Sequence, residues 1–195
     1  SSGSTNANIW VTAVNDAPVL DNSGNMSLTA ISEDVTNPSG DLVSAVILSA
    51  SGDRITDVDS GASEGIAVTG VDNTNGAWQY ATDGSTWTAF SSPSATAAVL
   101  LASDANTKVR FVPTTNFTGS VSTGLTFRAW DISGGTAEGN SVNVSTNGGT
   151  TAFSTASETV SIVVNVVNDA PVLDNSATMN LTAINEGDTA PSGDL

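Results

Sequence analysis

The segment VNDAPVLDNS occurs twice, beginning at Val14 and again at Val167, 153 positions further on. The likeness runs past the motif. Val14–Leu42 and Val167–Leu195 share 22 of 29 residues. The residues ahead of it match in character too, NIWVTAVNDAP against SIVVNVVNDAP. Self-similarity at a long, fixed period is the mark of a tandem array in which each period is one structural unit. The period predicts residues 1–14 as the end of one repeat, 15–168 as a complete repeat and 169–195 as the start of the next. A unit of roughly 150 residues is long enough to bury a sizeable core of its own.

Strand signals dominate the chain. Ile9–Val14, Leu42–Leu48, Ile66–Val71, Trp78–Thr82, Lys108–Val112, Leu125–Trp130 and Thr159–Val167 are short and rich in Val, Ile, Thr and aromatic residues, several with period-two alternation. Gly, Asn, Asp and Ser clusters separate them. DNTNG at 72–76 predicts a hairpin with an Asn-Gly turn, since Asn and Gly tolerate positive φ. Ala95–Ala102 fits one helical turn or a strand. Gly134–Ser157 has the composition of a long loop or of an extra hairpin. Many short strands at even spacing predict an all-β fold, a sandwich more than a barrel.

Composition excludes several functions. Four Lys and Arg face twenty Asp and Glu, a formal charge of −16. Such a surface repels nucleic-acid phosphates and anionic membranes and attracts cations. Histidine and cysteine are absent, which removes the commonest general base and any disulfide. The many Ser and Asp residues have no partner for nucleophilic catalysis, so no enzyme is expected. No stretch of about 18 apolar residues spans a membrane. Ser1–Trp10 does not have the pattern of a signal peptide.

Four acidic elements carry the chemistry. They are Asn15-Asp16, repeated at Asn168-Asp169; Asp57-Val58-Asp59-Ser60-Gly61; Asp131 in AWDISG; and Glu33-Asp34, echoed by Glu186. In D-x-D both carboxylates project to one side of an extended chain, and Gly lets the chain turn around an ion. Ca²⁺ takes six to eight hard oxygens from carboxylates, Asn carbonyls and backbone carbonyls. Alone, the same D-x-D-S-G makes a β-turn with Asx hydrogen bonds, and both readings stay open.

Together these elements resemble the cadherin family, whose domains carry D-x-N-D-N-x-P, D-x-D and A-x-D-x-G motifs. The counterparts are VNDAP at Val14–Pro18, DVDSG at Asp57–Gly61 and AWDISG at Ala129–Gly134. With GIAVTGVDNTNGAWQYATDGSTWTAF (Gly65–Phe90), VRFVPTTNFTG (Val109–Gly119) and LTFRAWD (Leu125–Asp131), the chain is similar to the cadherin-like tandem repeats of very large bacterial surface and adhesin proteins. The resemblance covers most of Val14–Val167. It implies an extracellular, Ig-like/cadherin-like antiparallel β-sandwich of Greek-key type, stiffened by calcium. It places Asp16, Asp57, Asp59 and Asp131 at the junction before the full repeat, and Asp169 and Glu186 at the one after it. Asn15 and Glu33 complete the expected metal-binding set. The L-D-R-E segment of cadherins is missing and the linker has fewer acidic residues, so fewer ions per junction are expected than in animal cadherins.

The expected role is that of a spacer in a repetitive adhesin or surface protein. Its partners would be neighbouring repeats or identical chains, with cell-surface glycans or proteins bound by other domains. The alternatives are a subunit of an extracellular fibre or sheath assembling by strand pairing, and a carbohydrate-binding module. Trp78, Tyr80 and Trp87 could stack on a sugar, but such aromatics on adjacent strands more often form cross-strand pairs or core. Lys108 is the single lysine. It could enter an isopeptide cross-link if buried beside Asn and an acid, but the alternation of KVRFV more simply exposes it. The sequons at Asn25, Asn116, Asn143 and Asn180 are expected by chance in so Asn-, Ser- and Thr-rich a chain.

Overall fold

Alternating apolar residues in the strongest strand segments build two antiparallel sheets that share one core. The computed structural model describes residue 6, residues 8–190 and residue 193. The chain is nearly all β. It opens with four short strands, β1 (Val19–Leu20), β2 (Met26–Ser27), β3 (Ile31–Ser32) and β4 (Asp41–Leu42), followed by a helix, α1 (Val43–Leu48), and β5 (Ile55–Thr56). Longer strands follow: β6 (Gly65–Val71), β7 (Gly76–Ala81), β8 (Thr88–Ala89), β9 (Ala98–Ala102), β10 (Lys108–Pro113) and β11 (Gly119–Trp130). The last two are β12 (Ser141–Val142) and β13 (Glu158–Asn165).

The larger sheet runs β12-β9-β6-β11-β13-β2, with β3 also on β13. The smaller runs β4-β10-β7-β8, and β1 pairs with β5 apart from both. All pairings are antiparallel except those of β2 and β3, which lie parallel to β13. Ile66, Val68, Leu125, Phe127, Val160 and Ile162 of the larger sheet meet Trp78, Val109 and Phe111 of the smaller in one buried cluster. No helix among the described residues is long and apolar enough to cross a membrane.

Several expectations change. Leu42–Leu48 is not a strand: Val43–Leu48 forms α1 and buries Val43, Val46 and Ile47. With Ala50, also buried, these stand at i, i+3, i+4 and i+7, the stripe of a helix facing a core. The β-branched residues suggested a strand, and the burial pattern overrides that preference. DNTNG is not a hairpin either. The strand before it, β6, pairs with β9 and β11, whereas β7 after it pairs with β8 and β10. The segment therefore carries the chain from one sheet to the other. Its polar groups hold the crossing: Trp78 donates its backbone N–H to Asn73 Oδ1 (2.9 Å) and its indole N–H to the Asp72 carbonyl (3.1 Å).

Gly134–Ser157 is neither a solvent loop nor a full hairpin. It contributes β12 and then lies over the outer face of the larger sheet, where Val144 joins Ala67, Ala98, Leu100 and Trp130 in a second buried cluster. Ser154 Oγ accepts from the Ala129 N–H (2.9 Å), and the Arg128 guanidinium reaches the carbonyls of Ser154, Thr155 and Ala156. Residues 8–14 and 169–190 form no strand and are exposed. Thr159–Val167 is realised as β13, two residues shorter at its end.

Candidate metal centre

Asp57 follows β5 directly, and a turn sets its partner residue. Asp57 Oδ1 accepts the Asp59 N–H (2.8 Å), an Asx turn, and Gly61 closes the loop at a φ of 79°, where a side chain would be strained. Asp131 follows β11, the central strand that carries the fold from one end to the other. Its Oδ1 accepts the Ser133 N–H (2.8 Å), while left-handed Ile132 (φ 59°) turns the chain back. Asp131 is buried, 7% exposed.

The linker closes on both. Asp16 donates its backbone N–H to Asp59 Oδ2 (2.9 Å). Asn15 donates its side-chain amide to Asp131 Oδ2 (2.9 Å) and to the Thr151 carbonyl (3.2 Å). The next residue, Ala17, donates to the Gly149 carbonyl (2.8 Å). Asn15, Asp16, Asp57, Asp59 and Asp131 thus come together at one end of the fold, from segments far apart in sequence. A cleft of about 250 Å³ opens between Pro18, Asp57, Asp59, Gly61, Glu64 and Asp131. Among the described residues, no three acidic side chains close on one point as a finished metal cage.

One oxygen in the cleft wall is out of balance. Asp57 Oδ2 is buried and has no hydrogen-bond partner. An acceptor-only carboxylate oxygen shielded from water carries the full cost of its desolvation unless a donor or a cation meets it. This orphaned oxygen, beside two further carboxylates and the Asn15 amide, fits a hard divalent cation. Asp57, Asp59 and Asp131 would hold the ion, with Asp16 and the Asn15 side-chain oxygen able to approach from the linker.

The other predicted residues lie elsewhere. Glu33 sits at the opposite end of the fold, buried. It accepts the Val167 N–H at Oε1 (2.8 Å) and donates its own N–H to the Asn165 carbonyl (3.1 Å). It pins the chain where it leaves β13 and joins no other member of the predicted set. Asp169 follows this exit and is exposed, as is Glu186. Glu186 occupies the position of Glu33 in the second copy, as Asp169 occupies that of Asp16.

Two acidic residues in the cleft wall carry no motif, Asp53 and Glu64. The available signal was only position: Glu64 immediately precedes β6, at the end where the D-x-D turn lies. Burial raises the Glu64 carboxyl above its ordinary value, against a hydrogen bond from Ser103 Oγ (3.0 Å), and the Asp53 charge adds to the rise. A carboxyl held above its unfolded value favours the fold at pH below that value, and the benefit is lost as pH rises through the folded value. Glu64→Gln keeps an acceptor for Ser103 and removes the buried charge. It is expected to raise the melting temperature of the metal-free protein at about pH 7 and to leave it nearly unchanged at about pH 3.5. Melting curves at the two pH values check this; an equal gain at both would place the cause outside the charge.

Trp78, Tyr80 and Trp87 form no open platform. Trp78 is fully buried against Phe111 (centroids 5.3 Å apart), Tyr80 packs on Phe90 (4.8 Å), and Arg110 lies over the Trp87 ring (4.1 Å). Comparison of the chain with family models, curated proteins and solved structures finds no match.

Proposed function

We propose that the chain is a calcium-stiffened extender unit of a repetitive extracellular adhesin or surface protein. The observation that supports this best is where the repeated linker meets the fold. Val14–Asp16 docks beside Asp131, just beyond the last residue of β11. The equivalent Val167 leaves from Glu33, beside the end of β13 that pairs with Gly119, the first residue of β11. The two linkers are therefore separated by the length of β11, twelve residues, or roughly 35–40 Å of extended chain. A unit that takes the chain in at one end and releases it at the other adds length to an array.

The carboxylates at the receiving end supply the stiffening. A divalent ion held by Asp57, Asp59 and Asp131 would neutralise their mutual repulsion and fix the linker that carries Asn15 and Asp16. Ligand binding to the folded state alone raises stability by mass action. The melting temperature of the chelated protein is expected to rise by several degrees on adding millimolar calcium, the range in which extracellular modules bind. An unchanged melting curve would remove calcium from the account.

A further inference from the structure

The chain contains two versions of one docking segment but a single described body to receive it. In the first version Leu20, Met26 and Leu28 are buried (4%, 1% and 6% exposed) and Ile31 packs against the same core. Arg54 grips the segment through Asp21 Oδ2 (2.7 Å) and Ser23 Oγ (3.0 Å), and Arg110 through Asn37 Oδ1 (2.5 Å) and the Pro38 carbonyl (3.0 Å). The second version keeps the apolar residues as Leu173, Met179, Leu181 and Ile184, and keeps Asp174 and Ser176 for the Arg54 grip. All four apolar residues are exposed there, Leu181 to 87%.

Exchange between such copies is the characteristic error of repeat proteins, because one body offers the same surface to either segment. Two of the seven differences between the copies change a side-chain contact with the body; Ser27 and Ser32, which also differ, meet it through their backbone in the pairings with β13. Gly24 is replaced by Ala177. A Cβ at Gly24 would stand 2.8 Å from Ala50 Cβ and 3.0 Å from Arg54 Cζ, and Ala50 is a short side chain on the buried stripe that continues α1. Asn37 is replaced by Ala190, which has no oxygen for the Arg110 guanidinium, itself only 8% exposed. The buried apolar residues and the Arg54 grip are kept while these two side-chain contacts change.

We infer that the body of the repeat, Val43–Asn165, is a selective receptor for its own opening segment and that Gly24 and Asn37 form the code, which Ala177 and Ala190 fail. The occupant it selects against is the opening segment of the following repeat, in the same chain or in a second copy. This discrimination does not depend on calcium.

Refolding the full chain from denaturant in an excess of labelled peptide tests it, with bound label measured by size exclusion and fluorescence anisotropy. Three peptides are compared: residues 19–37, residues 172–190, and residues 172–190 carrying Ala177→Gly and Ala190→Asn. The first is expected to be captured, the second at least about tenfold less, and the third close to the level of the first. Equal capture of all three, or of none, would overturn the receptor. Capture of the first but not the third would overturn the assignment of the code to these two residues.

Discussion

Trp78→Ala is expected to lower stability by roughly 3–5 kcal/mol, a fall in melting temperature of about 10 °C for a unit of this size. Trp87→Ala should cost about 1 kcal/mol or less. The difference follows from what each ring touches. Trp78 sits between the sheets with no exposure, tilted at 50° on Phe111, its indole N–H satisfied by Asp72. The opposite sheet is shaped to receive it. At Gly124 a Cβ would lie 2.2 Å from Trp78 Cζ2, so a glycine is required there, and β11 shifts register between Val121 and Leu125 at the same place. Truncating Trp78 leaves a large void that this rigid approach cannot fill. Trp87 is half-buried and loses its packing on Gly40 and its stacking on Arg110, which keeps Gln79, Asn37 and Pro38 as hydrogen-bond partners. Chemical denaturation of the two variants measures the difference, and equal losses would contradict this placement of the core. Loss of a binding activity in Trp78→Ala would thus report on the core; Trp87 is the residue on which a sugar-stacking role is to be tested.

The parts of the fold that were legible in the sequence share one property: their pattern and their burial agree. The segments at Ile66–Val71, Trp78–Thr82, Lys108–Val112, Leu125–Trp130 and Thr159–Val167 all became strands, rich in β-branched and aromatic residues and each buried on at least one face. Leu42–Leu48 failed because β-branched composition and helical spacing pointed in different directions, and the core selected the spacing. DNTNG failed for another reason. Turn chemistry states that the chain reverses, but not whether the next strand returns to the same sheet; the demand to place Trp78 between the sheets decided that. At the candidate site, Asn15, Asp16, Asp57, Asp59 and Asp131 were visible because each lies in a short motif, and Asp57 and Asp131 open Asx turns of their own. Glu64 was not, since nothing local distinguishes a carboxylate whose surroundings come from a distant cleft wall. Glu33 was visible as an acid but not its place, because only the parallel pairing of β3 with β13 shows which end of the fold it occupies.

The second large effect concerns Asp59, whose carboxylate lines the cleft and receives the backbone of the linker, through the Asp16 N–H. Asp59→Ala removes a proposed ligand oxygen together with the anchor of the Asp16 N–H, so its calcium affinity is expected to fall at least about tenfold, the loss of more than 1.4 kcal/mol. Asp72→Ala is the matched control. Its carboxylate accepts only from Thr74 within the crossing between β6 and β7 (3.0 Å), and that hydrogen bonding holds it below the ordinary carboxylate range. That variant should lose local order in the crossing and keep its ion affinity. Calorimetric titration of calcium into the chelated protein and both variants is the most direct measurement. The account predicts saturable binding in the wild type and in Asp72→Ala, strongly weakened in Asp59→Ala. No heat of binding in the wild type, or equal affinity in all three, would contradict it.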